Sequence, residues 1–242
     1  TTVLKKGVGE AVRGAVLGSE VLHDYVIAEV SERGMRLVQR PGSGAQAVEG
    51  REPIIDLVLA APRPSRVKQL LPHIAQLGVR TLVFLRAEKV ERGYLETGVL
   101  HPDKEDSLQE LLLSGLEQAS VATSVPRVVI QKGFKAFFEE RIEAFAEGAV
   151  LIALHPARDR NVTQGLLQVV EAHAGARRFV VLIGPEGGWN DYELDWIERR
   201  GFEYASLGER ILRTDTAVIA ALGAMRMRLA HPGASPAGAP AA

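Results

Sequence analysis

The chain has 242 residues, a formal net charge of −1 and no cysteine. That length suits one large domain or two modest ones. The absence of cysteine excludes disulfides and thiolate metal sites, and it favours a cytoplasmic protein. The balanced charge counts against a strongly basic nucleic-acid-binding protein, so any RNA affinity has to come from local clusters of Lys and Arg. No apolar run approaches the length of a membrane span, and the spacing of the six histidines suggests no metal site.

Short β-prone runs separated by glycine make up the first part of the chain. Three strands are predicted there, at 11–17, 21–30 and 35–39. Several short strands at this spacing are typical of a small β-barrel. We therefore predict a β-barrel domain over residues 1–50, joined to the rest of the chain by the polar, glycine-rich segment 41–53.

From residue 54 onward, strand-like and helix-like segments alternate. The predicted strands are 54–60, 81–85, 127–130, 150–154, 179–183 and 204–207. The predicted helices are 65–77, 106–119, 134–146, 163–172, 191–200 and 215–229. Such alternation predicts an α/β domain, over residues 51–231, with a mostly parallel sheet covered on both faces. Residues 232–242 are rich in Pro, Gly and Ala and are predicted to form a disordered tail.

A glycine-rich loop joins one of these strands to a helix. Residues 180–188 read Val-Val-Leu-Ile-Gly-Pro-Glu-Gly-Gly, and the helix that follows begins with Asn190 as its cap and Glu193 as its capping-box partner. Open α/β sheets bind ligands at such strand-to-helix loops, where glycine lets backbone amides approach closely. The loop has neither the Walker A pattern nor Gly-x-Gly-x-x-Gly. A plain strand-to-helix turn is the alternative interpretation.

A second motif follows at 207–217, which reads Leu-Gly-Glu-Arg-Ile-Leu-Arg-Thr-Asp-Thr-Ala. Together the two motifs resemble those of the SPOUT methyltransferases, and most closely those of the RsmE family of 16S rRNA uridine-N3 methyltransferases. The resemblance covers about residues 149–230, and one position departs, because Asp215 stands where the family has Glu.

The resemblance implies a SPOUT fold, in which the parallel sheet carries a trefoil knot, preceded by a PUA-like RNA-binding barrel. The barrel resemblance rests on Val-Leu-Lys-Lys-Gly at 3–7 and the glycine-spaced strands after it. The family's first strand would precede this point, so an incomplete barrel, or one rebuilt with other strands, is expected.

The resemblance also implies S-adenosylmethionine as the cofactor, held in three loops largely by backbone groups. The matching positions are Leu154, His155, Ile183, Gly184, Glu186, Gly187, Gly188, Leu207, Gly208, Ile211, Leu212, Thr214 and Thr216. The leucines are expected in the core in any case. A lone histidine at a loop entrance is more often structural than catalytic, and this holds for His155.

Methylation of uracil N3 requires loss of its proton and precise positioning of the base. Arg213 is predicted to hold an RNA phosphate or to stabilise charge on the uracil oxygens. Asp215 and Glu186 are the candidate bases, and the hydroxyl groups of Thr214 and Thr216 are candidates to position the uracil. The alternatives are a surface ion pair for Arg213 and a helix cap for Thr214 or Asp215.

Trp189 follows the glycine loop and has two interpretations. It either stacks on an RNA base or acts as a hydrophobic staple for the next helix.

RNA contacts are predicted from a cluster of Lys and Arg at 61–92 and from the second motif. The candidates are Arg63, Arg66, Lys68, Lys89 and Arg210, and a solvated helix face is the alternative. His73 and Gln76 stand where the family carries Lys and Glu, and Lys89 stands where it carries Arg. A catalytically weak relative that binds RNA or a ribosomal particle therefore remains the alternative to a methyltransferase.

The predicted partners are ribosomal RNA or the small ribosomal subunit, and a second copy of the chain. Family members complete their sites across a subunit interface, and the last helix has small residues over 217–227 that permit close approach. No membrane partner and no metal are expected.

Overall fold

The computed structural model describes residues 6–19, 21–32, 34–42, 44, 46–47, 53–119, 124–156 and 162–230. Residues 3–5 of the Val-Leu-Lys-Lys-Gly motif lie outside these residues, as do part of the predicted linker and the predicted disordered tail.

The amino-terminal residues form a small antiparallel sheet. Its strands are β1 (Ala11–Gly14), β2 (Val21–Ser31), β3 (Gly34–Gln39) and β4 (Gln46–Ala47). Strand β2 pairs with each of the others, and β1 and β3 flank it. Among the described residues β1 and β3 do not pair with each other, so closure into a barrel stays a prediction. Among the side chains of this sheet that the structure describes, only Leu22 and Ile27 are buried.

The second sheet contains six parallel strands. They are β5 (Ile54–Ala60), β6 (Val79–Leu85), β7 (Arg127–Gln131), β8 (Val150–Leu154), β9 (Arg178–Ile183) and β10 (Glu203–Ala205). Their order is β10-β8-β9-β5-β6-β7. The predicted α/β architecture is thus confirmed, and the near-continuous apolar runs of β5 and β9 lie buried on both faces, as parallel strands require. The trefoil knot stays a prediction from the resemblance.

Seven α-helices cover this sheet in the described part of the chain. They are α1 (Pro64–Gln76), α2 (Glu105–Ala119), α3 (Phe134–Glu140), α4 (Ile142–Ala146), α5 (Leu166–Ala172), α6 (Asp191–Arg199) and α7 (Thr214–Ala230). Short 3-10 turns at Arg92–Leu95, Gly98–Leu100 and Pro102–Lys104 precede α2.

Two of the predicted helices differ from those observed. The single helix expected over 134–146 is two helices, because Arg141 leaves the helical region with φ −123° and ψ −29°. The helix expected from 163 begins only at Leu166. The residues before it instead lie beside the end of β10, where Gly165 forms a parallel bridge with Ser206.

Helices α1 and α2 pack with their backbones in close contact. A Cβ atom at Gly115 of α2 would lie 2.1 Å from the carbonyl oxygen of Pro72 in α1. Glycine is therefore required at this position, and α1 continues through Pro72 in spite of the ring.

Candidate active site

A cavity of about 600 Å³ lies at the carboxyl ends of β8, β9 and β10. Three loops form its walls, at 154–156, 183–189 and 207–212. These loops come together because the carboxyl ends of neighbouring parallel strands share one edge of the sheet, and ligands bind there in open α/β folds. Loops whose first residues are 24 to 53 positions apart in the sequence thus face one cavity.

Nearly all of the positions predicted to hold the cofactor line this cavity. They are Leu154, His155, Ile183, Gly184, Glu186, Gly187, Gly188, Leu207, Gly208, Ile211, Leu212 and Thr214. Thr216 lies instead in a separate groove between α1 and α7. Whether these residues bind the cofactor stays a prediction.

At two positions of the cavity wall, steric constraints explain why the residue is glycine. A Cβ atom at Gly184 would lie 2.8 Å from Nε1 of Trp189, so only glycine allows the indole to pack against the loop. Gly208 has φ +107°, a backbone conformation that side chains with a Cβ rarely adopt.

The glycine loop is held against the loop after β6 by a buried carboxylate. Glu193 in the first turn of α6 is 2% exposed. Its Oε2 accepts a hydrogen bond from the backbone N–H of Asn190 at 3.0 Å, and the Asn190 Oδ1 accepts one from the N–H of Glu193 at 2.8 Å. This confirms the predicted capping box. The second carboxylate oxygen, Oε1, accepts the backbone N–H of Glu88 at 2.8 Å.

Lys89 adds a second connection between the same two loops. Its Nζ donates a hydrogen bond to the carbonyl oxygen of Gly187 at 2.8 Å. The sequence places Lys89 and Gly187 98 residues apart, and no local pattern relates them. Lys89 therefore lines the cavity, whereas the sequence indicated only an RNA contact.

Two buried polar atoms at the cavity have no hydrogen-bond partner among the described residues. They are Nδ1 of His155 and Nε1 of Trp189. The His155 ring packs edge-on against Tyr204, with the ring centroids 5.4 Å apart. Buried polar atoms are rarely left unpaired, and at a cavity wall such atoms suit a polar ligand.

The indole of Trp189 is buried rather than presented to solvent. It is 7% exposed and packs against Phe134, with the ring centroids 5.7 Å apart. This burial favours the staple interpretation over stacking on an RNA base.

Arg213 and Asp215 do not line the cavity, although both lie next to residues that do. Arg213 is exposed, and its backbone carbonyl accepts the first hydrogen bond of α7 from the N–H of Ala217. Asp215 Oδ2 accepts a hydrogen bond from Nη1 of Arg66 at 3.0 Å. Asp215, a candidate base, and Arg66, a candidate RNA-binding residue, thus form an ion pair although they are 149 residues apart in the sequence.

The remaining predicted RNA contacts are spread over two places. Arg210 is exposed and lines the cavity, and Lys68 is exposed on α1. Arg63 precedes α1 and lies beside Tyr94, whose pKa is raised mainly by a hydrogen bond to Glu91 and is lowered in part by Arg63.

No group of three or more His, Asp or Glu in the described ranges could hold a metal ion. No helix in that part of the chain is both long enough and apolar enough to cross a bilayer.

The fold and the cavity define an α/β protein of the class that binds ligands at the carboxyl edge of a parallel sheet. A family model described as "RNA methyltransferase domain" matches residues 51–226. Because this match covers more than half of the chain, the protein belongs to that family.

The curated relatives that match over most of the chain have low sequence identity to it. A ribosomal RNA small subunit methyltransferase E from Treponema pallidum is 27% identical over 167 residues, which are 69% of this chain and 59% of the relative. The chain spans about three fifths of the length of this relative and of a second one from Borreliella burgdorferi.

Two solved structures are similar over nearly the whole chain. One is a Legionella pneumophila protein in complex with the bound cofactor SAM. It has a TM-score of 0.67 and 24% identity, with coverage of 93% of this chain and 86% of that one. The other is ribosomal RNA small subunit methyltransferase E from Neisseria gonorrhoeae bound to S-adenosyl methionine, with a TM-score of 0.65, 21% identity and the same coverage. At this identity the likeness establishes the fold.

Proposed function

We propose that this chain transfers a methyl group from S-adenosylmethionine to N3 of a uridine in small-subunit (16S) ribosomal RNA, in the cytoplasm. The cavity at the carboxyl edge of the sheet carries the proposal, since it brings both motifs together in a chain of an RNA methyltransferase family. The names of the curated relatives, and the cofactor bound in the similar structures, support the substrate and the cofactor. We assign the reaction to a methyltransferase domain at residues 51–231, and RNA binding in part to residues 1–50.

The cavity walls fit S-adenosylmethionine. Apolar side chains of Leu154, Ile183, Leu207 and Leu212 can enclose an adenine, and the glycine loops offer backbone N–H and C=O groups for its edges. The unpaired Nδ1 of His155 is a further hydrogen-bonding atom at the wall. When bound, the cofactor supplies an electrophilic methyl group on its sulfonium.

The residues of the chain then position the uridine and remove its proton. Glu186 is exposed at the cavity, so its carboxylate is the better-placed base for the N3 proton. Asp215 already accepts the Arg66 guanidinium, and we assign it the structural role of joining α1 to α7. Arg213 binds an RNA phosphate or a uracil oxygen from the exposed end of the loop.

The Arg66–Asp215 ion pair also favours the second candidate function, a catalytically weak relative that binds RNA or a ribosomal particle. It engages one predicted base and one predicted RNA cation with each other. Cofactor binding without methyl transfer would identify that function.

We expect Gly187→Val to weaken S-adenosylmethionine binding by about 10- to 100-fold. Overpacking costs about 1–3 kcal/mol or more, and each 1.4 kcal/mol corresponds to about tenfold in affinity. A Cβ atom at this position would lie 3.0 Å from Cδ of Lys89 and would project into the cavity wall. Titration calorimetry of both proteins measures the effect.

Gly175→Val is the matched control for that experiment. A Cβ atom at Gly175 meets no atom within 4 Å, and this residue does not line the cavity. Its affinity for the cofactor should equal that of the wild type. An unchanged affinity in Gly187→Val would reject the assigned site.

We also propose a homodimer formed through α7. The exposed side of this helix carries Ile219, Ala220, Gly223 and Met227, which recur at helical spacing and are small or apolar. Beside them lies a groove of about 330 Å³ between α1 and α7. A second copy of the same helix can pack closely on such a surface.

Light scattering should therefore give a dimer mass for the wild type at micromolar concentration and a monomer mass for Ile219→Arg. The control is Leu167→Arg on α5, since Leu167 is 43% exposed and Ile219 is 42% exposed. A monomer mass for the wild type, or the same loss of dimer in both variants, would contradict an interface on α7.

A further inference from the structure

A second cavity lies along β6 and β7, and three of its arginines lie at the amino ends of strands, away from the carboxyl ends that form the candidate active site. It has a volume of about 650 Å³ and lies between β6, β7 and the helices α3 and α4. Its floor includes the apolar side chains of Val83, Val129 and Phe137. Four arginines line it, namely Arg80, Arg127, Arg141 and Arg178, and no carboxylate does.

One buried carboxylate lies behind two of these arginines. Asp56 is 0% exposed, and it accepts hydrogen bonds from Nε of Arg80 at 3.0 Å and from Nη2 of Arg80 at 2.6 Å. It also accepts one from Nε of Arg178 at 2.9 Å. Because Asp56 carries a single negative charge, it compensates only one of the two guanidinium groups. The bidentate contact fixes the Arg80 guanidinium while the side chain remains 47% exposed.

The other two arginines are free of ion pairs within the described ranges. Arg127 begins β7 and Arg141 lies between α3 and α4, and both are exposed. Counted with Asp56, the four arginines leave an excess of about three positive charges, and the residues that line the cavity include no carboxylate. A guanidinium group binds phosphate oxygens bidentately, so such a cluster fits a phosphate anion.

The side-chain amide of Gln131 lies in the part of the cavity at the end of β7, so the cavity offers more than a binding site for a simple anion. Gln131, at the end of β7, is 7% exposed and lines the cavity, with no side-chain hydrogen bond within the described ranges. Between Gln131 and the arginines lies the apolar floor, beside the ring of Phe145. A base can lie on apolar and aromatic side chains and use a buried amide for its polar edge.

We infer that this cavity, the arginine cavity, binds one phosphate and the adjoining nucleoside of a single-stranded RNA segment. The choice of RNA as the source of the phosphate rests on the proposed function. A volume of about 650 Å³ admits one unstacked nucleotide and excludes a duplex. RNA bound at the candidate active site would thus be held by the protein at a second place, along β6 and β7.

The test is the affinity of the full chain for a short, fluorescently labelled single-stranded RNA, measured by anisotropy. Arg127→Ala/Arg141→Ala should bind about tenfold more weakly and lower the salt dependence of binding by about one phosphate contact or more. Both side chains are exposed, so the double variant should retain the thermal unfolding of the wild type. The control Lys104→Ala/Lys135→Ala removes the same charge from exposed positions outside the cavity and should bind RNA nearly as the wild type does.

Free uridine monophosphate is the second probe, and it should bind the wild type more weakly than the RNA does. Equal RNA affinity of the arginine variant and the wild type would overturn the inference, as would an equal loss in the lysine control. A variant that loses only the free nucleotide and keeps the RNA would also overturn it, because the source of the phosphate would then not be RNA.

The outcome is separable from that of the proposed function. Arg127 and Arg141 do not line the candidate active site, so calorimetry should give the same S-adenosylmethionine affinity for the double variant and the wild type. A wild type that fails to bind S-adenosylmethionine would reject the proposed function and leave the RNA measurement valid.

Discussion

Replacing Arg213 with alanine should slow methyl transfer by about 100-fold or more, which is typical for the loss of one electrostatic contact in a transition state. The affinity for S-adenosylmethionine should change little, because Arg213 lies outside the cavity and the cavity walls offer mainly backbone and apolar groups. A loss in turnover with unchanged cofactor binding indicates an interaction made with RNA or in the transition state. The measurement is the rate of transfer to purified small subunits together with calorimetry of the cofactor.

Arg213→Lys separates charge from geometry in this experiment. Lysine keeps the positive charge but cannot bind a phosphate or a pair of oxygens through a planar fork. We expect a rate between those of wild type and Arg213→Ala. Equal rates in the alanine variant and the wild type would remove Arg213 from the mechanism.

Replacing Asp56 with alanine should lower the free energy of unfolding by about 3 kcal/mol or more, because breaking a buried ion pair leaves its partners uncompensated. Asp56 is fully buried and accepts three guanidinium hydrogen bonds from Arg80 and Arg178. Arg178 is 19% exposed and has little water to replace the lost contact. The half-exposed Arg80 recovers part of its hydration, which places the expected loss near the lower end of the usual range.

Urea unfolding of three proteins measures this effect. Glu96→Ala is the control, because it breaks an ion pair between two exposed side chains. In that pair Nζ of Lys132 lies 2.9 Å from Oε1 of Glu96. An exposed pair of this kind contributes about 0–1 kcal/mol. The account of Asp56 fails if Asp56→Ala and Glu96→Ala unfold at the same urea concentration.

The sequence was sufficient for the features that depend on local patterns. Alternating apolar strands and helices predicted the parallel sheet, and the strands at 54–60 and 150–154 have the predicted bounds. The Asn190–Glu193 capping box was predictable because both residues lie within one helical turn. The cavity followed from two loops that each come after a strand of the same parallel sheet.

The features that join distant parts of the chain were not predictable in this way. The contact of Glu193 with Glu88 spans 105 residues, and the pairing of Arg66 with Asp215 spans 149. Nothing in the local sequence of Arg66 distinguishes it from a solvent-exposed RNA cation. The break at Arg141 carries no proline or glycine signal, and Asp56 reads as an interruption of an apolar strand until Arg80 and Arg178 are placed beside it.

The proposed activity of the chain is methylation of a uridine of small-subunit ribosomal RNA. It is tested most directly by incubating the purified protein with small ribosomal subunits from a strain that lacks it and with isotopically labelled S-adenosylmethionine. The RNA is then digested and its nucleosides are identified by mass spectrometry. We expect labelled 3-methyluridine in the small-subunit RNA. A protein that binds S-adenosylmethionine but leaves the small-subunit RNA unlabelled would contradict it.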